Sequence, residues 1–343
     1  MKLNLFKENG IHPQQIPEDR EDLIRWFRKE ARPLPWRASK DPYRIWISEV
    51  MLQQTTVTAV IPYFERFLKK FPRIQDLAEA SLEEVYSVWS GLGYYSRARN
   101  LHQASRIFSV TGFPRHTEDL LKIPGLGPYT ARAVASLAFN ETVGVVDGNV
   151  IRVLSRKYGL DKEWWKNDCR RLYQSLADEL AQCEDPSALN QGLMELGATL
   201  CTPKKVLCPL CPWRKSCVAL NTKTIDSLPR PKPRKKTEYW VFEPVILTRK
   251  KSGKISIGLT REHQLPVLKK DLFLPGPAHF VSEKPKNFIT KHNITHHEFF
   301  VSKLKTHRSA TKDLEWIPLD ELSGKSPSAF LKKILKASLE TEL

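Results

Sequence analysis

From Glu18 to about Leu200, apolar residues recur every three or four positions, the spacing that lines one face of an α-helix. Leu23, Ile24 and Phe27 form one stripe, Trp46, Val50, Val57, Val60, Ile61, Phe64 and Phe67 a longer one, and Leu82, Val85, Val88 and Trp89 a third. No convincing period-two run interrupts them, so the pattern predicts an all-α first domain over residues 1–220. Residues 221–238, beginning NTKTIDSLPRPKPRKK, combine prolines and cations that exclude a packed element and predict an extended linker. Beyond it the texture changes. YWVFEPVILTR (239–249) and KISIGLTR (254–261) are β-branched and partly alternating, with Lys251-Ser252-Gly253 as a hairpin turn. HHEFFVSKLK (296–305) predicts a further strand and SAFLKKILKASLE (328–340) a closing helix, so 239–343 should be a smaller α+β domain.

Charge and composition then narrow the partner. Lys and Arg number 55 against 38 Asp and Glu, a formal +17 that favours a polyanion, nucleic acid ahead of an acidic membrane surface. No apolar run approaches the roughly 20 residues of a spanning helix, and MKLNLFKENG lacks the apolar core of a signal peptide. A cytoplasmic, nucleoid-associated and monomeric protein is the expectation.

Four of the six cysteines, Cys201, Cys208, Cys211 and Cys217, crowd into the loop CTPKKVLCPLCPWRKSC (201–217). Cys169 and Cys183 stand apart and read as small buried hydrophobes. Zinc, an iron–sulfur cluster and free thiols compete for the four. Zinc ribbons more often split their ligands into two C-x2-C pairs, whereas the longer loops around the single pair here could wrap a bulkier cubane; spacing alone leaves both open.

In LKIPGLGPYTARAVASLA (121–138), Thr117 can cap a short helix through Lys122, Gly125 and Gly127 supply positive φ, and Pro128 suits a first helical position. The result is a helix-hairpin-helix whose exposed N–H groups could hold a phosphate or serve only as a core turn. Ala131, Ala135 and Ala138 form a small-residue face. Next, in VDGNV, Asp147 precedes Val150, Val153 and Leu154, a helix N-cap by position. A cap carboxylate receiving backbone N–H bonds should have a lowered pKa. In SEVMLQQT, Glu49 stands among Trp46, Val50 and Met51. Desolvation there should raise its pKa and make it a proton donor near neutrality; pairing with Arg44 or Arg37 is the alternative.

Taken together, PWR (35–37), SEVMLQQT (48–55), GLGYYSRARNLH (91–102), IPGLGPYTA (123–131), VDGNV (146–150) and the cysteine loop resemble the adenine DNA glycosylases of the helix-hairpin-helix, endonuclease III superfamily. The motifs run in family order over about residues 20–220. The resemblance implies a [4Fe–4S] cluster on the four cysteines, structural and DNA-sensing, with Lys204, Lys205, Arg214 and Lys215 offered to DNA. It implies removal of adenine opposite 8-oxoguanine or guanine in duplex DNA, with Glu49 as acid, Asp147 stabilising the sugar cation, and Tyr129 and Asn149 orienting them. By the same matching Arg32, Trp36, Leu52 and Gln191 line the adenine pocket, Gln54, Leu92 and Tyr94 enter the base stack, and Gly125 and Gly127 hold the backbone. Bifunctional relatives carry a lysine where Tyr129 stands, and a phenol cannot form their Schiff base, so base removal without strand cleavage is expected.

The second domain departs from the family pattern. There a Nudix-like domain reads the oxidised guanine through Phe-Ser-His; here the triplet is Ile294-Thr295-His296, which leaves Thr295 and His296 for mismatch recognition. The family's Leu-Trp-Glu-Phe-Pro-Gly survives only as DLFLPG (271–276). Adjacent histidines on a strand face opposite sides, so His296 and His297 are not expected to share a metal. The rival readings are a thymine–guanine mismatch glycosylase and a non-catalytic iron–sulfur damage sensor.

Overall fold

The helical stripes become a unit of packed helices, and the alternating segments a unit of sheets. The structure, a computed structural model, describes residues 6–233, 235–251, 253–266, 268, 272–307, 314–322, 326 and 328–339. It divides into Met1–Pro233 and Arg234–Leu343. Among the described residues no helix is long and apolar enough to cross a membrane.

The first unit runs α1 (Ile16–Glu30), α2 (Pro42–Leu52), α3 (Val57–Lys70), α4 (Ile74–Glu79), α5 (Leu82–Trp89), α6 (Tyr95–Thr111), α7 (Thr117–Leu120), α8 (Pro128–Phe139), α9 (Gly148–Tyr158), α10 (Asn167–Leu180), α11 (Pro186–Thr199) and α12 (Val218–Asn221). Their starts follow local chemistry. Asp41 accepts the Tyr43 N–H at 2.9 Å ahead of Pro42, and Asp185 accepts the Ala188 N–H at 3.0 Å ahead of Pro186. Each satisfies an N–H that the helix itself leaves unpaired, while proline fits the first turn because its missing donor is not needed there. The short α7 differs from expectation. His116, not Thr117, holds the cap position and the helix ends at Leu120. The Thr117 hydroxyl and N–H instead both donate to the Glu141 carboxylate, at 2.6 and 2.9 Å, a stronger acceptor than a helical carbonyl.

Two cores form within this unit. Trp46, Phe64, Phe67, Trp89 and Phe108 anchor the first, drawn from α2 to α8. Leu23, Val153, Tyr173, Leu193 and Trp213 anchor the second, drawn from α1, α9 to α11 and the cysteine loop. Each such side chain contributes about 1.5–3 kcal/mol by leaving water. α8 packs on α2 and on α11, so its N-terminal turn lies where the two cores meet. Ala131 and Ala135 are fully buried as the small-residue face predicts, and Ala138 is partly so. Cys169 and Cys183 are half-buried rather than core residues.

The second unit holds two four-stranded sheets in the orders β4-β1-β6-β5 and β7-β2-β3-β8. The strands are β1 (Glu238–Phe242), β2 (Val245–Lys251), β3 (Lys254–Leu259), β4 (Ala278–Val281), β5 (Thr290–Ile294), β6 (His297–Val301), β7 (Lys305–His307) and β8 (Glu315–Pro318). The run YWVFEPVILTR is therefore two strands in different sheets, because Pro244 has no N–H to continue a ladder. The β2–β3 hairpin forms with Lys251 opposite Lys254 and Gly253 at φ +80°, while Ser252 lies outside the described residues. Helix α13 (Ala329–Leu339) closes a core of Phe242, Phe273, Phe299 and Phe330. Of DLFLPG, Asp271 lies outside the described residues, and Leu272, Phe273 and Leu274 are buried in that core.

Candidate active site

Glu49 lies on the last turns of α2, and Asp147 caps α9, so the two carboxylates come from helices of different cores. Tyr129, in the first turn of α8, reaches Glu49: its hydroxyl donates to Glu49 Oε2 at 2.7 Å and lies 3.5 Å from the Met194 sulfur on α11. Burial pushes the Glu49 carboxyl up to about 7; the Tyr129 bond and the Arg37 charge act downward, and the Asp147 charge adds to the rise. Burial first, then the charges of Glu49 and Asp147, hold the Tyr129 phenol well above its ordinary range, so it is a donor at any physiological pH. The alternative for Glu49, an ion pair with Arg44 or Arg37, is not what forms. Arg44 faces Asp41 at 3.7 Å and Arg37 binds Glu195 at 2.9 Å.

Asp147 receives more donors. Its Oδ1 accepts the Val150 N–H at 2.7 Å and its Oδ2 accepts the Asn149 side-chain amide at 3.0 Å. Burial nonetheless raises its pKa against these bonds, which corrects the expectation of a lowered value. A cap bond lowers a carboxyl only when desolvation does not outweigh it. Asn149 is held in turn by Arg152, whose Nη2 donates to Asn149 Oδ1 at 2.8 Å and whose Nε donates to the Cys201 carbonyl at 2.8 Å. The close approach needs Gly197, where a Cβ would fall 2.7 Å from that of Asn149.

Arg32 and Gln191 meet in a second network centred on Glu195. Arg32 donates three times to that carboxylate, from its guanidinium at 2.6 and 2.8 Å and from its backbone N–H at 3.3 Å, and Arg37 once at 2.9 Å, while Arg37 Nε donates to Gln191 Oε1 at 3.2 Å. These bonds hold Glu195 below its usual range although burial acts the other way. Trp36 is buried edge-to-face against Phe64, and Leu52 packs partly buried on the same core.

A cleft collects Gln54, Tyr94 and Gly125 along with Asn100, Pro124 and Leu126. Gln54 and Tyr94 sit at φ +58° and +51°, and Tyr94 is 54% exposed. Leu92 does not present itself with them: at 7% exposure it belongs to the first core. Of the hairpin glycines only Gly125, at φ +83°, uses the left-handed region; Gly127 is the extended cap of α8. Arg97, which sequence reasoning did not single out, fastens this region. Its Nη1 donates to the carbonyls of Val50, Met51 and Gln53 at 2.6–2.9 Å, and its Nη2 to those of Leu92 and Gly93 at 3.2–3.3 Å. Arg97 thus satisfies the C-terminal carbonyls of α2 and the Tyr94 turn together. Its only signal was a cation inside GLGYYSRARNLH.

Cys201, Cys208, Cys211 and Cys217 line one pocket with Arg156 and Arg214, and no disulfide joins them. Burial pushes Cys211 up to about 12, and its three neighbours add to the rise. A buried ion pair braces the loop: Lys157 Nζ lies 2.5 Å from Asp19 Oδ1 and donates to Ser216 Oγ at 2.5 Å, and the Trp213 indole donates to the Asp19 carbonyl at 2.7 Å. Lys204, Lys205, Arg214 and Lys215 are exposed. In the second unit, Thr295 and His296 occupy the turn between β5 and β6. His296 is therefore not a strand residue, the alternation argument does not apply to it, and its ring centroid lies 4.0 Å from that of His297.

Residues 47–178 match the family described as HhH-GPD superfamily base excision DNA repair protein. The chain is 45% identical over 212 residues to an adenine DNA glycosylase of Mus musculus, 58% of this chain and 41% of that one. It is 38% identical over 217 residues to an adenine DNA glycosylase of Buchnera aphidicola (Schizaphis graminum), 62% of each. The chain thus spans less than half the length of its mammalian relatives. Among solved structures, a thermostable thymine-DNA glycosylase matches at TM-score 0.56 and 28% identity, over 61% of this chain and 98% of that one. An endonuclease III–DNA complex matches in fold at TM-score 0.52 and 24% identity, over 62% of this chain and 98% of that one.

Proposed function

We infer, from a helical unit that has the HhH-GPD glycosylase fold and is related to adenine DNA glycosylases at 35–46% identity, that this chain excises mispaired adenine from duplex DNA. The observation that carries the chemistry is the buried Tyr129–Glu49 contact beside Asp147. Two neighbouring carboxylates compete for one proton, and unequal donors decide the outcome. Asp147 is held by backbone N–H groups and the Asn149 amide, Glu49 by a single phenol. Glu49 is then the acid and Asp147 the anion.

The target adenine is first extruded from the stack. Glu49 gives its proton to adenine N7, so the base departs neutral as the C1′–N9 bond breaks. The ionised Asp147 stabilises the sugar cation, electrostatically or as a transient ester. Water adds to C1′, and Glu49 takes up the proton it releases, which restores the acid. No amine stands at Tyr129, so the backbone is left intact.

The four cysteines suit a [4Fe–4S] cluster: all line one pocket, and the long loops around the single C-x2-C pair suit a cubane better than a zinc ribbon. When bound, the cluster supplies bracing for the basic loop that faces DNA. A Nudix-like second unit with Thr295 and His296 toward the opposite base, 8-oxoguanine or guanine, completes the reading.

The test is excision from duplexes carrying A opposite 8-oxoguanine, A opposite G, and T opposite G, with strand breaks assayed before and after alkali. Breaks in the adenine strand only after alkali are expected. Attack on thymine alone, or breaks without alkali at the rate of base loss, overturns the reading. Iron and inorganic sulfide in the purified protein are expected, and zinc in their place overturns the cluster assignment.

A further inference from the structure

We propose that Glu238, His296 and His297 form a binding site for one divalent transition-metal ion of the zinc class. Among the described residues this is the group of histidine, cysteine and acidic side chains whose ligand atoms all fall within 4.8 Å of one another. His297 Nε2 lies 3.2 Å from Glu238 Oε2, and His296 Nε2 lies 3.8 Å from Glu238 Oε1. Parallel pairing of β1 with β6 sets this up: Glu238 stands opposite His297 in register, and its N–H donates to the His296 carbonyl at 2.8 Å.

One tautomer of the two rings suits a cation at the centre. The Thr295 hydroxyl donates to the Ile294 carbonyl at 2.7 Å, so its oxygen is left to accept. Facing that oxygen are the Nδ1 atoms of His296, at 3.4 Å, and His297, at 3.3 Å. When both Nδ1 atoms carry the proton, both Nε2 lone pairs turn toward a carboxylate that is itself only an acceptor. Three acceptors around one point repel one another unless a cation lies among them. Fixing the tautomer through Nδ1 is also how metal-binding histidines are oriented. The Trp240 indole donates to Glu238 Oε2 at 3.2 Å and steadies the carboxylate.

Thr295 holds a left-handed backbone, φ +56°, rare for a β-branched residue. That turn is what brings two consecutive imidazoles to one side. Two imidazoles and a carboxylate match zinc and its neighbours rather than calcium or magnesium, and leave a position for water. The proposal shares Thr295 and His296 with the mismatch reading, and binding is measured without DNA so that its failure is distinguishable from failure of the excision reading.

Cobalt(II) is the probe, added to the intact chain with its iron content measured alongside. One equivalent is expected to bind with the weak visible bands of nitrogen and oxygen ligands and no thiolate charge-transfer band. Glu238→Gln and His296→Ala, both at partly exposed positions, should each weaken that binding at least about 100-fold with unchanged iron and far-ultraviolet dichroism. Zinc should displace the cobalt and raise the melting temperature of the unsubstituted chain, not of Glu238→Gln. Binding that shows only thiolate bands, or that survives in the Glu238→Gln/His296→Ala double variant, overturns the proposal; so does the absence of any bound cobalt.

Discussion

Glu49 and Glu195 are buried almost equally, at 4% and 1% exposure, in helices of the same unit, yet their carboxyls are driven in opposite directions. Burial pushes Glu49 up to about 7, with one phenol as its hydrogen-bond partner. Glu195 meets two guanidinium groups and is held below its usual range. Depth alone therefore does not make an acid; the number of donors supplied against depth does. The helical unit uses one carboxylate as a structural anion under Arg32 and Arg37, and leaves the other poised to give up a proton.

The strongest way to break this comparison is to remove the poised proton. Glu49→Gln should cut single-turnover excision of adenine by about 100-fold or more, the scale of a general acid, with binding of the mispaired duplex retained. Full activity in that variant would sink the acid assignment. The same substitution sharpens the comparison in stability. A carboxyl raised from 4.5 to about 7 is protonated in the folded state where the unfolded chain has ionised. The folded state then holds more protons, so stability falls as pH rises through that window, by about 3 kcal/mol. Urea titrations at several pH values should show the decline in the unsubstituted chain and its absence in Glu49→Gln.

Glu195→Gln should act with the reverse sign. A carboxyl held below its usual range contributes stability that is present above about 4.5 and lost as pH falls through the folded value. Removing its charge unpairs two arginines, but Arg32 reaches solvent and Arg37 also donates to the Arg32 carbonyl at 3.0 Å. The expected loss near pH 7 is about 2 kcal/mol, read as a lower urea midpoint at unchanged slope. A loss confined to acid pH would mean that the pair is not formed in solution.

These two carboxylates also mark what the sequence makes legible. The apolar neighbours of Glu49 are local, so desolvation could be read from Trp46, Val50 and Met51. Glu195 owes its state to Arg32 and Arg37, more than 150 residues away, and nothing in NQGLMELGATLC names them. Asp147 was legible as a cap and not in the sign of its pKa shift, because burial depends on how α11 closes over Asn149 at Gly197. The helices follow from periodicity, whereas Pro244 splitting β1 from β2, and a turn that lifts His296 out of strand alternation, depend on pairing partners elsewhere in the chain.

The finest probe of the comparison is Tyr129→Phe, which deletes one oxygen and leaves the ring in place. The phenol donates to the ionised form of Glu49, so it acts to lower that pKa; without it the carboxyl is harder to ionise and its pKa rises further. If protonated Glu49 is the working acid, the excision rate of the unsubstituted chain should fall about tenfold per pH unit above about 7. In Tyr129→Phe the same limb should begin at higher pH, while the plateau below it drops modestly because the carboxyl is no longer aimed. A purely structural role for Tyr129 would lower the plateau and leave the limb where it was. Glu195→Gln serves as the control, since its charge is not the proton that moves: its limb should shift only by the small change in the Arg37 field at Glu49, and a shift as large as that of Tyr129→Phe would erase the distinction between the two carboxylates.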